Sequence, residues 1–468
     1  VDGIIGFRPL RLPPPAMPAP DPDPDRPAVP RLALAPLLAE PLPPTLKGLP
    51  DSAVGRPLAA LGTLGLAAWG RGIPLPLPAA VLHDEALAHN AAWMRDFCAR
   101  AGVELCPHGK TTMAPQLFQR QLDAGAWGIT VATAAQLRTA AAFGVPRLLL
   151  ANQLVDEGGL AVLSGALRSH PSLDALLLVD SEAGLGRLVA HLRDEPVGRP
   201  VGVLVEIGAE GGRAGVRGVE AALTLARAVA AHAPWVALRG IEAYEGVFGL
   251  RDDAPLELAV HGLLEQLVAV LDGALHAHLF APGDVLLTAG GSQFFDLAAR
   301  ALATAAGRHP GVRPLLRSGC YLSHDSLHYE RLQARLRGRA GDLWGRGPGL
   351  RPAVEVWSVV QSVPEPGRAV CAVGKRDLSH DVVPPQPMRW WRPGMDGEPR
   401  VLSAGTARLT ALFDQHAVVT LAGNAPDWQV GDRVAFGIGH PCTTFDRWPL
   451  LFTVDARGQV TGGVRTFF

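Results

Sequence analysis

Eight short apolar runs, Val103–Cys106, Ile129–Ala132, Arg147–Ala151, Ala175–Val179, Val201–Ile207, Leu238–Ala243, Val285–Thr288 and Pro314–Leu316, follow one another along the middle of the chain. Between them lie stretches with helical spacing, such as Met113–Ala126 and Val216–His232. Strands that read as unbroken apolar runs are strands buried on both faces, which is what a parallel sheet wrapped in helices demands. Eight alternations in about 220 residues match the size and order of a (β/α)8 barrel of the TIM type. An open doubly wound sheet shows the same alternation and stays as the alternative.

From Ala353 the rhythm changes. Val354–Val363, Ala369–Val373, His416–Leu421, Asp432–Gly437 and Leu450–Val454 are short strand-like runs broken by Pro and Gly, with no long helical stretch between them. The reading is therefore an α/β chain, with a barrel over residues 80–340 and an all-β domain over 350–468. A length of 468 residues suits two cores. Residues 1–45 form an arm expected to be extended or disordered, because 15 of the chain's 42 prolines fall in the first 50 residues and proline neither continues a helix nor pairs inside a sheet.

Charge and cysteine usage narrow the partners. Lys plus Arg number 43 against 44 Asp plus Glu, which provides no basic surface for nucleic acid and no polybasic membrane signal. No run approaches the roughly 18 consecutive apolar residues of a membrane span. Five scattered cysteines, Cys98, Cys106, Cys320, Cys371 and Cys442, without a CxxC pair, fit neither a disulfide framework nor a zinc knuckle. Cys98, Cys106, Cys320 and Cys371 read as small buried residues. A cytoplasmic protein acting on a small molecule is expected.

A barrel places its chemistry at the C-terminal ends of its strands. Strand one runs into His108-Gly109-Lys110, strand five into Gly208 to Arg213, strand six into Tyr244, strand seven into Gly290-Gly291-Ser292 and strand eight into Arg317-Ser318-Gly319-Cys320-Tyr321. A desolvated lysine in such a ring loses its proton and attacks a carbonyl. Pyridoxal phosphate is the obvious carbonyl: Gly290, Gly291 and Ser292, with the turn at Tyr321, are candidates for its phosphate, and Arg213 for its ring nitrogen. Taken singly, a lysine is usually a solvated residue and Gly-Gly-Ser usually a turn; it is the convergence at strand ends that favours a site.

Pro107-His108-Gly109-Lys110-Thr111 resembles the Pro-His-x-Lys-Thr motif of the D-serine dehydratase and D-threonine aldolase family, relatives of alanine racemase. Val205 to Gly208 with Arg213-Ala214-Gly215, Gly240 to Gly246, and Leu316 to Tyr321 resemble further segments of that family, over about residues 80–460. The loop Gly208–Arg213 is longer than the family's usual one. The resemblance implies a barrel holding pyridoxal phosphate on Lys110, a β domain and a homodimer. Near the C-terminus His440-Pro441-Cys442 carries two zinc-ligand types two residues apart, pointing to one side if the segment is extended. Alone, such a pair is more often incidental packing. In the family, His-x-Cys at this place is the zinc site of the D-serine dehydratases, and the aldolases carry Asp instead of Cys. The implied activity is dehydration of D-serine or a related β-hydroxy D-amino acid to a keto acid and ammonia; the alternatives are a metal-dependent D-threonine aldolase and a protein that merely carries pyridoxal phosphate. Lys375-Arg376-Asp377 and His380-Asp381 fit an active-site segment or a subunit contact equally well.

Overall fold

A computed structural model describes residues 29–248 and 254–468. All eight apolar runs of the barrel region are strands: Glu104–Leu105, Ile129–Val131, Arg147–Gln153, Asp174–Val179, Val201–Ile207, Val236–Ala243, Val285–Ala289 and Val312–Leu316. They form one parallel sheet in which strand eight pairs with strand one and the rest are neighbours in chain order. The ring is closed between strands one and two by the Trp127 N–H donating to Leu105 O at 2.7 Å, the Thr130 N–H donating to Pro107 O at 2.8 Å, and a parallel bridge from His108 to Thr130. Closure excludes the open doubly wound alternative.

Side chains of alternate strand positions separate into two packings, as the period of two requires. Leu149, Leu176, Leu178, Leu204, Leu286 and Leu315 cluster with Cys106 and Trp127, whereas Leu148, Leu150, Leu177, Val203, Val205 and Leu287 join the cluster made with the helices. The longest helix described is Ala254–His276, whose stretch Pro255–His276 is, by length and composition only, long and apolar enough to cross a membrane, with a mean hydropathy of 1.5. Its Val260, Leu263, Leu264, Leu267, Val270, Leu271 and Ala274 are buried in the barrel's outer core. The spacing of those positions is that of a helix packed on one side.

The β domain is a set of antiparallel ladders built on Val354–Glu365, which pairs with Arg433–Gly437 and Arg368–Cys371. The strands Gln386–Trp391, Arg400–Val401, Ala407–Leu412 and Val460–Arg465 belong to it as well, although their mixed polar and apolar composition hid them in the sequence. Its boundaries differ from those expected. Ala79–His83 is a strand of this domain, antiparallel to Val354–Glu365 and parallel to Leu450–Val454. Only with helix Asp84–Ala101 does the chain cross to the barrel. A strand with both edges paired and Ala79 to Leu82 fully buried is held more firmly by the sheet than by its place in the chain.

The arm also differs from its expected extended state over the part described, residues 29–45; residues 1–28 lie outside the described residues. Ala35–Ala39 is a short helix, and Leu37 and Leu42 join Leu46, Leu58, Leu61 and Trp69 in a core shared with Trp357, Trp391 and Phe452 of the β domain. Prolines break regular structure, but the leucines between them are enough to hold the segment against an apolar surface.

Candidate active site

One cleft lies where the strand ends of the barrel meet the β domain, enclosing about 880 Å³ with its mouth included. Lys110, Arg213, Tyr244, Gly291, Ser292, His440 and Cys442 all line it, as do His108, Thr111, Asn152, Arg317, Cys320 and Tyr329. The sequence-predicted residues are thus brought together from both domains, with Gly290 and Tyr321 as exceptions.

Lys110 sits in a single 3-10 turn, Gly109–Thr111, that ends strand one. Glycine is required just before it, because a Cβ at Gly109 would lie 2.7 Å from Ile129 Cγ2 and from Phe118 Cε1. The turn after strand eight presses equally closely from the other side. A Cβ at Gly319 would lie 2.5 Å from His108 O, so Gly319 is what lets Arg317 and Cys320 stand beside the lysine turn.

The floor holds the buried charges. Arg317 is 2% exposed, pairs with Glu242 and donates from Nη2 to Ala243 O at 2.9 Å. Burial pushes Glu242 up to about 8, against the pull of Arg317. Burial likewise raises Glu206, beside Gln153, and Glu245. Burial first, and then the neighbouring Lys110 and Arg317 cations, hold His108 well below the usual histidine range, so its imidazole is neutral. Arg317 Nε and His108 Nδ1 are buried without a hydrogen-bond partner, an arrangement that costs free energy unless a ligand supplies the partner.

Three expectations about cofactor contacts change in the folded chain. The N–H groups of Gly290 and Gly291 are already taken by Glu245, at 3.1 Å to Oε2 and 2.5 Å to Oε1. A carboxylate buried with no cation paired to it needs donors, and those amides are nearest. Gly290 is set behind the cleft wall, its carbonyl accepting from Ser318 Oγ at 2.9 Å. Tyr321 turns away into the core beside Gln121; the adjacent Cys320 faces the cleft and Tyr329, from the first turn of helix His328–Ala340, supplies a phenol there. Arg213 lies at the exposed rim with its guanidinium 5.0 Å from the Tyr244 ring, and Arg317 is the cation of the floor. The long loop carrying Arg213 is pinned by Arg217, which donates to Gly212 O at 3.3 Å and Arg213 O at 3.0 Å.

The β-domain side presents His440 and Cys442. The segment is not extended, since Cys442–Phe445 is a helical turn starting at Pro441, yet both residues reach the cleft. His440 Nδ1 lies 2.6 Å from Asp381 Oδ2, and Asp381 also accepts from Thr443 Oγ1 at 2.8 Å. Cys442 Sγ lies 3.4 Å from Thr111 Oγ1, one residue from the lysine. The cysteine pKa is lowered to about 7, chiefly by its contact with Cys320 and against burial. Asp381, visible in the sequence only as part of a segment with two readings, lies against His440 in the folded chain. The preceding Asp377 instead pairs with Lys47, tying the arm's end to this domain.

The residues fit the expected groups. A neutral imidazole, an unpartnered guanidinium nitrogen, a serine and the Gly319-Cys320 turn around one lysine suit an anionic cofactor with a polar ring nitrogen. An imidazole oriented through one nitrogen by a carboxylate, with a thiol nearby, suits Zn²⁺. Among the described residues no three His, Cys, Asp or Glu side chains converge as a preformed metal site.

Fold and cleft together define a class: two-domain barrel proteins whose ligand site is built from the strand ends and a β domain. Residues 353–454 match the family described as "Putative serine dehydratase domain". The chain is 24% identical over 389 residues to a D-threonine aldolase of an Arthrobacter species, covering 80% of this chain and 92% of that protein. It is 31% identical over 175 residues to the D-threo-3-hydroxyaspartate dehydratase of Delftia sp. (strain HT23), covering 37% and 44%. The fold matches the crystal structure of D-threonine aldolase from Filomicrobium marinum with a TM-score of 0.69 at 21% identity, over 84% of this chain and 95% of that one. The chain is thus similar in its C-terminal domain to the serine dehydratase family, and over most of its length to a D-threonine aldolase.

Proposed function

We propose that this protein is a pyridoxal phosphate- and zinc-dependent D-serine dehydratase, a lyase converting D-serine or a related β-hydroxy D-amino acid to a keto acid and ammonia. The observation that carries the reading is the meeting of Lys110, His440 and Cys442 in one cleft, with Thr111 bridging the two sides. Bound there, pyridoxal phosphate supplies an electron sink for negative charge at the substrate α-carbon. Lys110 would anchor it and, with its amine free, take the proton from the α-carbon. Arg317 and His108 would face its polar edge, and Ser292 with the Gly319-Cys320 turn its phosphate. Zn²⁺ on His440 and Cys442 would supply Lewis acidity for departure of the β-hydroxyl, a poor leaving group on its own. Asp381 keeps the His440 ring turned so that Nε2 is the free nitrogen.

A second reading, a metal-dependent D-threonine aldolase, is supported by the similarity to the Arthrobacter protein over most of the chain; the cysteine of the His-x-Cys pair favours the first. The proposal includes a cytoplasmic homodimer; a net charge of −1 supports the part of it that names no nucleic-acid partner. The test is mass-spectrometric identification of the products formed from D-serine and D-threonine by protein loaded with both cofactors, with the L-isomers as controls. Pyruvate and 2-oxobutyrate from the D-isomers support dehydration. Glycine and acetaldehyde from D-threonine would make it an aldolase, and no turnover of any isomer would leave a carrier of the cofactor.

A further inference from the structure

The cleft contains a second sulfur that the reading above does not use. Cys320 Sγ, on the turn after barrel strand eight, lies 3.8 Å from Cys442 Sγ of the β domain. Two Zn–S bonds of about 2.3 Å meeting at the tetrahedral angle hold their sulfurs about 3.8 Å apart, while a disulfide needs about 2.05 Å. The two thiols therefore already stand at the spacing of a shared metal, although they come from different domains.

Their surroundings suit a metal-bound pair. The Cys442 thiol donates to Thr111 Oγ1 at 3.4 Å and the same hydroxyl lies 3.8 Å from Cys320 Sγ, so once the thiols are deprotonated it can donate to either sulfur, the outer contact that orients metal ligands. Cys320 is 7% exposed and lines the cleft together with His440. The other buried cysteines have no such partner: Cys98, Cys106 and Cys371 lie in the packed core.

We propose that Cys320 is a third protein ligand of the metal held by His440 and Cys442, making a two-thiolate, one-imidazole site with one position left for substrate. The inference rests on the metal reading of the previous subsection. Binding forms two metal–sulfur bonds and releases the two thiol protons to solvent, with no change of oxidation state. His440 lines the same cleft as the sulfur pair and would complete the set, although the three side chains do not converge as a preformed site. Two thiolates make the site soft, so it selects Zn²⁺ over Mn²⁺ or Mg²⁺, and the metal joins the barrel to the β domain.

Zinc K-edge X-ray absorption of the zinc- and cofactor-loaded protein, paired with zinc affinity from competition with a chromophoric chelator, tests this without reference to turnover. Two sulfurs at about 2.3 Å are expected in the wild type, and one in Cys320→Ser with at least tenfold weaker zinc binding. A wild-type shell of one sulfur that disappears only in Cys442→Ser overturns the role of Cys320 and leaves the metal reading standing. A wild type that retains no zinc, or zinc without sulfur, removes the metal reading itself. The wild-type shell decides even if Cys320→Ser does not fold.

Discussion

Asp381 holds His440 by its Nδ1, at 2.6 Å from Oδ2, and so presents Nε2 as the nitrogen free to bind. Asp381→Asn keeps the shape but weakens the orienting contact. Zinc affinity is expected to fall roughly 10- to 100-fold, read by chelator competition, with the melting temperature little changed because Asp381 is exposed.

Lys110→Ala removes the single lysine of the cleft. Turnover of a D-amino acid is expected to fall by at least about 10³-fold. Borohydride reduction followed by peptide mapping should place the cofactor on Lys110 in the wild type and nowhere in the variant.

Arg317 and Glu242 form a buried pair at the floor, and removing the cation takes away the partner that opposes the burial-driven rise of Glu242. Arg317→Met should cost about 3–5 kcal/mol of stability, and adding Glu242→Gln should restore a part of it in a denaturation cycle. Arg213→Met, at the exposed rim, should stay within about 0.5 kcal/mol.

Gly319→Ala drives a methyl to 2.5 Å from His108 O, backbone that cannot swing aside. A loss of about 1–3 kcal/mol is expected, together with weaker cofactor retention measured by dialysis, because the displaced segments are those of His108 and Cys320.

Glu355 contributes to the pH dependence of the β domain. Despite its burial it is held at about 2 by His83 and Arg389, against an ordinary 4.5. A depressed carboxylate stabilises the fold fully above pH 4.5 and loses that contribution as pH falls through the interval down to about 2. The shift corresponds to about 3 kcal/mol. Urea denaturation at pH 7 and pH 3 should show the wild type losing stability that Glu355→Gln, already weaker at pH 7, does not lose.

The barrel was legible because each of its strands is buried on both faces and so writes an apolar run; Val201–Ile207 matches its strand residue for residue. Lys110, Tyr244, Ser292, His440 and Cys442 were legible through the rule that barrel chemistry sits at strand ends and through motif resemblance. Strands such as Ala407–Leu412, half exposed and alternating, carried no comparable signal.

By itself the sequence determined which residues would surface at the strand ends. The tertiary structure decided which of those side chains face the cleft. Gly290 and Tyr321 were lost to it because Glu245 takes the neighbouring amides and because adjacent residues of a turn point in opposite directions. Arg213 stays at the rim while Arg317 holds the floor, because burial depends on how a long loop is pinned. Cys320 and Cys442 stand 122 positions apart and 3.8 Å apart in space, a relation that only the docking of the β domain onto the barrel creates.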